Sequence, residues 1–199
     1  MTTTPVTDGR SRRSERTRNA VLDALLALLR TGNLRPTARE IAAEAGVSLR
    51  SVYVHFEDLD DLFVAAADRQ FQQVRHLVVE VATTGPLRER ADALVRARGR
   101  IYEGIGGVRQ AAAVHAPFSP ALAGRLATVR ELARAELERV FAVELDACPA
   151  AQRRERLAVL EVLSGSETWD HLRTSSGMDE GATCAAITGA VVALLGAVE

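Results

Sequence analysis

The 199-residue sequence predicts an all-α protein with an N-terminal three-helix domain followed by a larger helical domain. Apolar residues recur at the three- and four-residue spacings of amphipathic helices, and no alternating β-branched or aromatic run indicates a strand. Stretches rich in Gly, Pro, Asn and Ser separate these helical segments. The helical spacing, the lack of strand patterns and the separating stretches together place the fold in the all-α class.

Positive charge is concentrated near the N-terminus. Residues 1–56 carry nine arginines and five acidic residues, whereas the remainder carries sixteen arginines and twenty-one acidic residues. The chain contains no lysine, so every cationic side chain other than histidine is an arginine. A basic end on an acidic body favours contact with nucleic acid at that end. A chance fluctuation is the alternative, because the overall net charge is only −1.

The first segments form a basic arm and one helix. Residues 1–13 are polar and basic and predict a flexible arm. A helix is expected from about Ser14 to Arg30, with Val21, Leu25 and Leu29 on its apolar side. The Thr-Gly-Asn sequence at 31–33 ends this helix, since Gly and Asn are favoured just after helix ends.

Two short helices follow, joined by a tight turn. Thr37 and Glu40 have the spacing of a capping box, which predicts a helix that ends at Gly46. Ser48 is the expected N-cap of a third helix that extends to about His55. Two short helices around a Gly-containing turn form a helix-turn-helix, so residues 14–57 are expected to form one such domain.

Further helices are expected over the rest of the chain. They cover about 58–82, 87–104, 108–115, 120–145, 150–174 and 180–198. Their predicted breaks are the glycines at 104, 106 and 107, Ala116-Pro117, Cys148-Pro149 and the Ser-Ser-Gly sequence at 175–177.

The third helix carries the candidate DNA contacts. Val52 and Phe56 can point inward, which leaves Leu49, Arg50, Ser51, Tyr53 and His55 for the outer face. Arg50 suits a bidentate contact to guanine, and the amide groups at the Ser48 cap suit a phosphate. An ordinary solvated face is the alternative for each residue alone, but the turn geometry favours DNA contact for the set.

Residues 37–62 resemble the DNA-binding domain of the tetracycline-repressor (TetR) family. The resemblance rests on Ile41-Ala42, Ala45-Gly46-Val47-Ser48, Val52-Tyr53, His55-Phe56 and Leu62. It implies that Thr37 contacts phosphate, that Arg39 reaches a base edge or phosphate, and that the outer residues of the third helix contact DNA. One departure is Leu59, which stands among four acidic residues where the family usually has a lysine.

The resemblance further implies that residues 58–199 bind an effector and form a homodimer through the last two helices. The segment from Cys184 to Val198 is apolar on nearly every side, so it must be buried. Candidate effector contacts are Tyr102, His115, Phe118 and Trp169, although ordinary core positions are the alternative for each. The few aromatic residues and many Ala, Val and Leu favour an apolar effector.

The leading hypothesis is therefore a cytoplasmic, dimeric repressor that binds double-stranded DNA at a palindromic operator and is released by a small-molecule effector. The alternative is a TetR-like helical interaction protein with weak or lost DNA binding. An enzyme is not predicted, because no nucleophile elbow, phosphate-binding loop or metal-spaced His/Cys cluster occurs. No cofactor, metal site, disulfide, secretory signal or membrane span is expected either.

Overall fold

The protein folds into ten α-helices over the part of the chain that the structure describes. A computed structural model gives the backbone of residues 7–196 and the side chains of residues 11–196. That range contains no strand, so the predicted all-α class is confirmed. The chain divides into two compact units, which we call the head unit (residues up to 73, and 105–126) and the body unit (74–104, and from 127 onward).

The head unit contains the first four helices and parts of the next two. Its helices are α1 (Thr7–Arg30), α2 (Ala38–Glu44), α3 (Leu49–His55), α4 (Leu59–Val74), the C-terminal part of α5 (Leu87–His115) and the start of α6 (Pro120–Val140). Their apolar faces meet in one core whose fully buried members include Leu25, Ile41, Phe56 and Leu62. Burying such side chains stabilises the fold by about 1.5–3 kcal/mol each.

The body unit contains the remaining helical segments. They are the first part of α5, the rest of α6, α7 (Ala142–Asp146), α8 (Ala150–Leu163), α9 (Ser166–Asp170), a π-helical turn (His171–Ser175) and α10 (Glu180–Gly196). A second apolar core joins them, with Leu94, Phe141, Leu160 and Val191 fully buried.

Helix α1 begins earlier than the sequence predicts. It starts at Thr7, so residues 7–13 of the predicted flexible arm are helical, while residues 1–6 lie outside the described part of the chain. The segment contains neither proline nor a run of β-branched residues after Thr7, so it continues the helical hydrogen bonding of the residues that follow.

The predicted break at Gly104, Gly106 and Gly107 is wrong, because α5 runs unbroken through all three glycines. Tertiary packing overrides the low helix propensity of glycine here. A Cβ at Gly107 would lie 2.7 Å from the Leu29 carbonyl oxygen, so the absent side chain allows the two helices to approach closely.

Three other helix ends differ from expectation. Helix α4 stops at Val74 and is followed by a 3-10 turn, Arg75–Leu77, where a helix to about residue 82 was expected. The predicted helices 120–145 and 150–174 are each interrupted, at Phe141 and at Gly165. A Cβ at Gly165 would lie 2.8 Å from the Glu161 carbonyl oxygen, a close approach that the helical pattern of apolar residues does not reveal.

The division into units also differs from the predicted boundary between residues 57 and 58. Most of α4, the end of α5 and the start of α6 pack with the head core through Leu62, Ala111 and Leu122. These helices are amphipathic, and their periodicity alone does not specify which core receives their apolar faces.

None of the helices between residues 7 and 196 combines the length and the hydropathy required to cross a bilayer.

Candidate nucleic-acid interface

The start of α2 is fixed by a reciprocal cap. The Glu40 amide donates to Thr37 Oγ1 at 3.3 Å, and the Thr37 amide donates to Glu40 Oε2 at 2.7 Å. Thr37 Oγ1 also donates to the same carboxylate at 2.7 Å. The hydrogen bond that the Thr37 side chain donates to the Glu40 carboxylate is the main reason why the pKa of Glu40 lies below its ordinary value. The bond from the Thr37 amide lowers it further. The capping box that the sequence predicted is present.

Gly46 makes the turn between α2 and α3. Its φ of +65° lies in the left-handed region that glycine adopts at no steric cost. The Val47 amide donates back to the Ala42 carbonyl at 3.0 Å, which closes the end of α2. Val47 is half-buried against the head core, so the turn is held by an apolar contact as well as by hydrogen bonds.

Ser48 caps α3, as predicted. Its Oγ accepts from the Ser51 amide at 3.1 Å, and the two serine hydroxyls lie 2.8 Å apart. Because both hydroxyls and the Ser51 amide are used locally, the conformation of the N-terminus of α3 is set before any ligand binds.

Helix α3 has one buried side and one exposed side. Val52 is almost fully buried in the head core, as is Phe56, which follows the helix. On the other side Arg50 is exposed, and the exposed fractions of Tyr53 and Val54 are 51% and 69%. A helix that buries its inner side in a core and presents arginine and tyrosine outward has the arrangement of a major-groove reader.

The eight predicted DNA-contact residues all belong to the head unit. Six are exposed, and Ser51 and His55 are half-buried; the set is Thr37, Arg39, Ser48, Leu49, Arg50, Ser51, Tyr53 and His55. The structure brings them onto α2, α3 and their two caps. Val54 is exposed on the same side of α3 but is not among the predicted residues. Its spacing of four residues from Arg50 indicates that face, but its exposure depends on how α3 lies on the core.

The acidic start of α4 is partly accounted for by local capping. The Asp61 amide donates to Asp58 Oδ1 at 2.8 Å, and the Glu57 amide donates to Asp61 Oδ2 at 3.3 Å. Two of the four acidic side chains therefore satisfy backbone groups at a helix N-terminus, where negative charge is favourable. Leu59, at the position of the missing lysine, is half-buried and packs against the head core.

Two of the four candidate effector residues come together in the body unit. The ring centroids of Tyr102 and Trp169 are 6.2 Å apart, in an edge-on arrangement. Trp169 is only 2% exposed, and its indole donates to Glu103 Oε1 at 3.0 Å. A hydrogen bond from Arg173, with a second from the indole, keeps the pKa of Glu103 below its usual range.

The other two candidates belong to the head unit. His115 Nε2 lies 3.2 Å from the Leu34 carbonyl oxygen, and its ring stacks against Phe63 with centroids 4.1 Å apart. Phe118 is 78% exposed, so it does not line an enclosed cavity. The four predicted residues thus do not form a single cluster within one unit.

Comparison with known proteins identifies the head. Residues 21–66 match the family described as bacterial regulatory proteins, tetR family. A curated relative, an uncharacterized HTH-type transcriptional regulator in the dhlA 5' region of Xanthobacter autotrophicus, is 36% identical over 87 residues. The match covers 43% of this chain and 42% of that protein, so this chain spans less than half of the relative's length.

Solved structures resemble the whole fold. A transcriptional regulator from Rhodococcus sp. Rha1 has a TM-score of 0.67 at 22% identity, covering 92% of this chain and 96% of that chain. The multidrug binding protein EbrR, complexed with imidazole, has a TM-score of 0.59 at 21% identity, covering 86% and 93% of the two chains. The helix-turn-helix geometry and the family match agree over residues 21–66, which are therefore similar to the bacterial regulatory proteins of the tetR family.

Proposed function

We propose that this tetR-family regulator is a repressor that binds a palindromic operator as a homodimer and is released by a small, largely apolar effector. The observation that carries the proposal is the outer face of α3, where Arg50 and Tyr53 are exposed on a helix whose inner face is buried. A helix held in this way can enter the major groove without refolding, so little conformational entropy is lost on binding.

The charges and donors around α3 suit DNA. Arg50 can form two hydrogen bonds to a guanine edge, which discriminates against other bases by about 1–3 kcal/mol. Thr37 and Ser48 stand exposed at the N-termini of α2 and α3, where first-turn backbone amides that the caps do not use can face phosphates. Arg39, exposed on α2, adds a positive charge nearby. Base reading and phosphate positioning are thereby assigned to different residues.

Two apolar faces in the body unit support a homodimer. On α8, Ala158, Val159 and Val162 are exposed at helical spacing, and on α10 so are Ala185, Ala186 and Ala193. Helices α8 and α10 pack against each other within the unit. Small residues allow close packing of a second copy, and exposed apolar helix faces of this kind are typical of interfaces.

The body unit is also where we place effector binding. Tyr102 and Trp169 lie beside apolar residues of α5 and α10, and a protein of similar fold is a multidrug binding protein. An effector would act by binding one arrangement of the dimer more tightly than the other; a reversal from 1:99 to 99:1 requires a difference of about 5.5 kcal/mol. Because Trp169 is the single tryptophan of the chain, effector binding beside it should change the intrinsic emission.

Selection of bound DNA from random oligonucleotides tests the DNA-binding part of this proposal. We expect one palindromic sequence to be enriched, with binding that weakens steeply as salt rises. Arg50→Ala and Tyr53→Ala should each weaken binding to that sequence at least about tenfold. Arg100→Ala, at an exposed position of α5 in the body unit, is the control and should bind as the wild type does. If the wild type enriched no sequence, the chain would instead be a helical interaction protein of the same fold.

Sedimentation of interface variants tests the homodimer. Val162→Glu places a charge on the exposed α8 face and should shift the protein toward monomer, with loss of operator binding. Val143→Glu is the matched control, because Val143 is as exposed but lies on α7. Equal sedimentation of both variants and the wild type as dimers would place the interface elsewhere, and a monomeric wild type would exclude the dimer.

A further inference from the structure

Val54 is an apolar side chain on α3 that the head core does not use. It is 69% exposed, more than any other apolar residue of that helix. Val52, two residues earlier, provides the buried contact of α3. Valine is also a weaker helix former than alanine, so the residue does not stabilise this seven-residue helix through propensity. Val54 can therefore contact a ligand of α3 without any change in the head core.

The geometry of α3 places Val54 beside the base-reading arginine. Residues four apart lie on the same face of a helix, so Val54 and Arg50 point in one direction, with Tyr53 adjacent. Four residues span about 6 Å along the helix axis. Successive bases on one strand rise by about 3.4 Å. If Arg50 is at a base edge, Val54 is within one or two base steps of it.

The chemistry of the groove restricts what valine can recognise there. A valine side chain offers no hydrogen-bond donor and no acceptor. On the base edges of the major groove, the group that an apolar side chain recognises is the thymine C5-methyl. We propose that Val54 is a specificity-determining residue that packs against one thymine methyl in each operator half-site, next to the guanine read by Arg50. This inference rests on the operator binding proposed above and adds a base preference to it.

Operators in which deoxyuridine replaces thymine test the proposal directly. Deoxyuridine keeps every hydrogen-bonding group of thymine and lacks only the methyl. In the operator selected by the wild type, each thymine is replaced in turn and the dissociation constant is measured. We expect one position per half-site to weaken binding about fourfold, as the loss of one buried methyl predicts, with no change at the other positions.

A double-mutant cycle then assigns the methyl to Val54. The Val54→Ala variant should bind the thymine and deoxyuridine operators equally well, because the partner of the methyl has been removed. Its helicity and thermal midpoint should equal or slightly exceed those of the wild type, since the side chain is exposed and alanine is the better helix former. Val143→Ala, at a 70% exposed valine on α7, is the control and should retain the fourfold discrimination.

The outcomes separate this inference from the proposed function. An enriched operator in which no thymine is sensitive, or a V54A variant that keeps the wild-type discrimination, would overturn the methyl contact and leave operator binding intact. A V54A variant that weakened all sequences equally would assign the side chain to the sugar-phosphate backbone and would also overturn it. A wild-type protein that enriches no sequence would overturn both.

Discussion

The head and body units differ in what they bury. Among the side chains that the structure describes, the head unit buries apolar residues and, of the polar ones, Ser119 alone. The body unit buries three arginines, Arg90, Arg98 and Arg156, among its apolar residues. Arg98 shows the pattern: it donates to Glu136 Oε2 at 3.1 Å, to Ser164 Oγ at 2.8 Å and to the Ala133 carbonyl at 2.6 Å.

This difference suggests how each unit depends on its sequence. An apolar core tolerates substitutions that keep its volume and pattern, so the head unit can remain stable when one buried apolar residue replaces another of similar size. A buried charge is stable only while each of its partners is in place, and removal of one partner is strongly destabilising. We therefore expect the stability of the body unit to fall steeply on substitution of a few buried polar residues. We expect the stability of the head unit to change little on volume-conserving substitutions in its apolar core.

The largest expected effect is at Arg98. Arg98→Ala removes the charge that satisfies Glu136 and Ser164 and should lower the free energy of unfolding by about 3–5 kcal/mol. Urea unfolding followed by Trp169 emission measures it, since this tryptophan lies in the body core. Arg96→Ala, which breaks an exposed ion pair with Asp92, should change stability by less than about 1 kcal/mol. Equal losses for the two variants would contradict the dependence of the body unit on its buried arginine.

Two glycines of α5 should respond in opposite directions. A Cβ at Gly99 would overlap the ring of Trp169 in the body unit, so Gly99→Ala should destabilise by about 1–3 kcal/mol. A Cβ at Gly106, in the head unit, would meet nothing within 4 Å, so Gly106→Ala should stabilise by about 0.5–1 kcal/mol. Thermal unfolding midpoints of the two variants measure both signs. A stabilising alanine at Gly99 would show that Trp169 can repack.

The cap of α2 should have a smaller effect. Thr37→Ala leaves the Glu40 amide without its side-chain acceptor and should cost about 1 kcal/mol of stability, measured by urea unfolding followed through helical circular dichroism. Thr37→Ser keeps the hydroxyl and should stay near the wild type. If serine were as costly as alanine, the threonine methyl rather than the cap would be responsible.

The smallest effect concerns pH. The pKa of Glu40 is lowered in the folded protein. The stabilisation of α2 by its cap is therefore fully present above the ordinary pKa of a glutamate and is lost as pH falls through the lower folded pKa. Titration of the Glu40 carboxyl carbon by NMR should give a pKa below that of an ordinary glutamate, and Thr37→Ala should raise it. An unchanged pKa in that variant would show that the Thr37 side chain is not the main cause.

The sequence was informative where structure is determined by near neighbours. The capping box at Thr37, the turn at Gly46 and the cap at Ser48 each depend on residues within five positions along the chain, and all three are present as expected. Most of the exposed residues of α3 were predicted from the same local signals. Val54 was missed because its exposure depends on how α3 is oriented on the core.

The candidate effector residues were harder to predict, because aromatic residues were chosen by type without knowledge of their neighbours. His115 stacks on Phe63 in the head, whereas Trp169 lies against Gly99 in the body. Neither contact can be predicted from the local sequence, because the residues of the first pair are 52 positions apart and those of the second pair are 70 positions apart. Contacts of this length are decided by packing and not by local pattern.

By itself the sequence determined the all-α class, the helix-turn-helix, its caps and the similarity of residues 21–66 to the tetR family. The tertiary structure decided where α4 ends, that α5 continues through three glycines, and which helices share the head core. The physical reason is the range of the forces involved. Caps and turns are set by hydrogen bonds within one helical turn, whereas helix length and helix partners follow from apolar surfaces that meet only after the chain has folded.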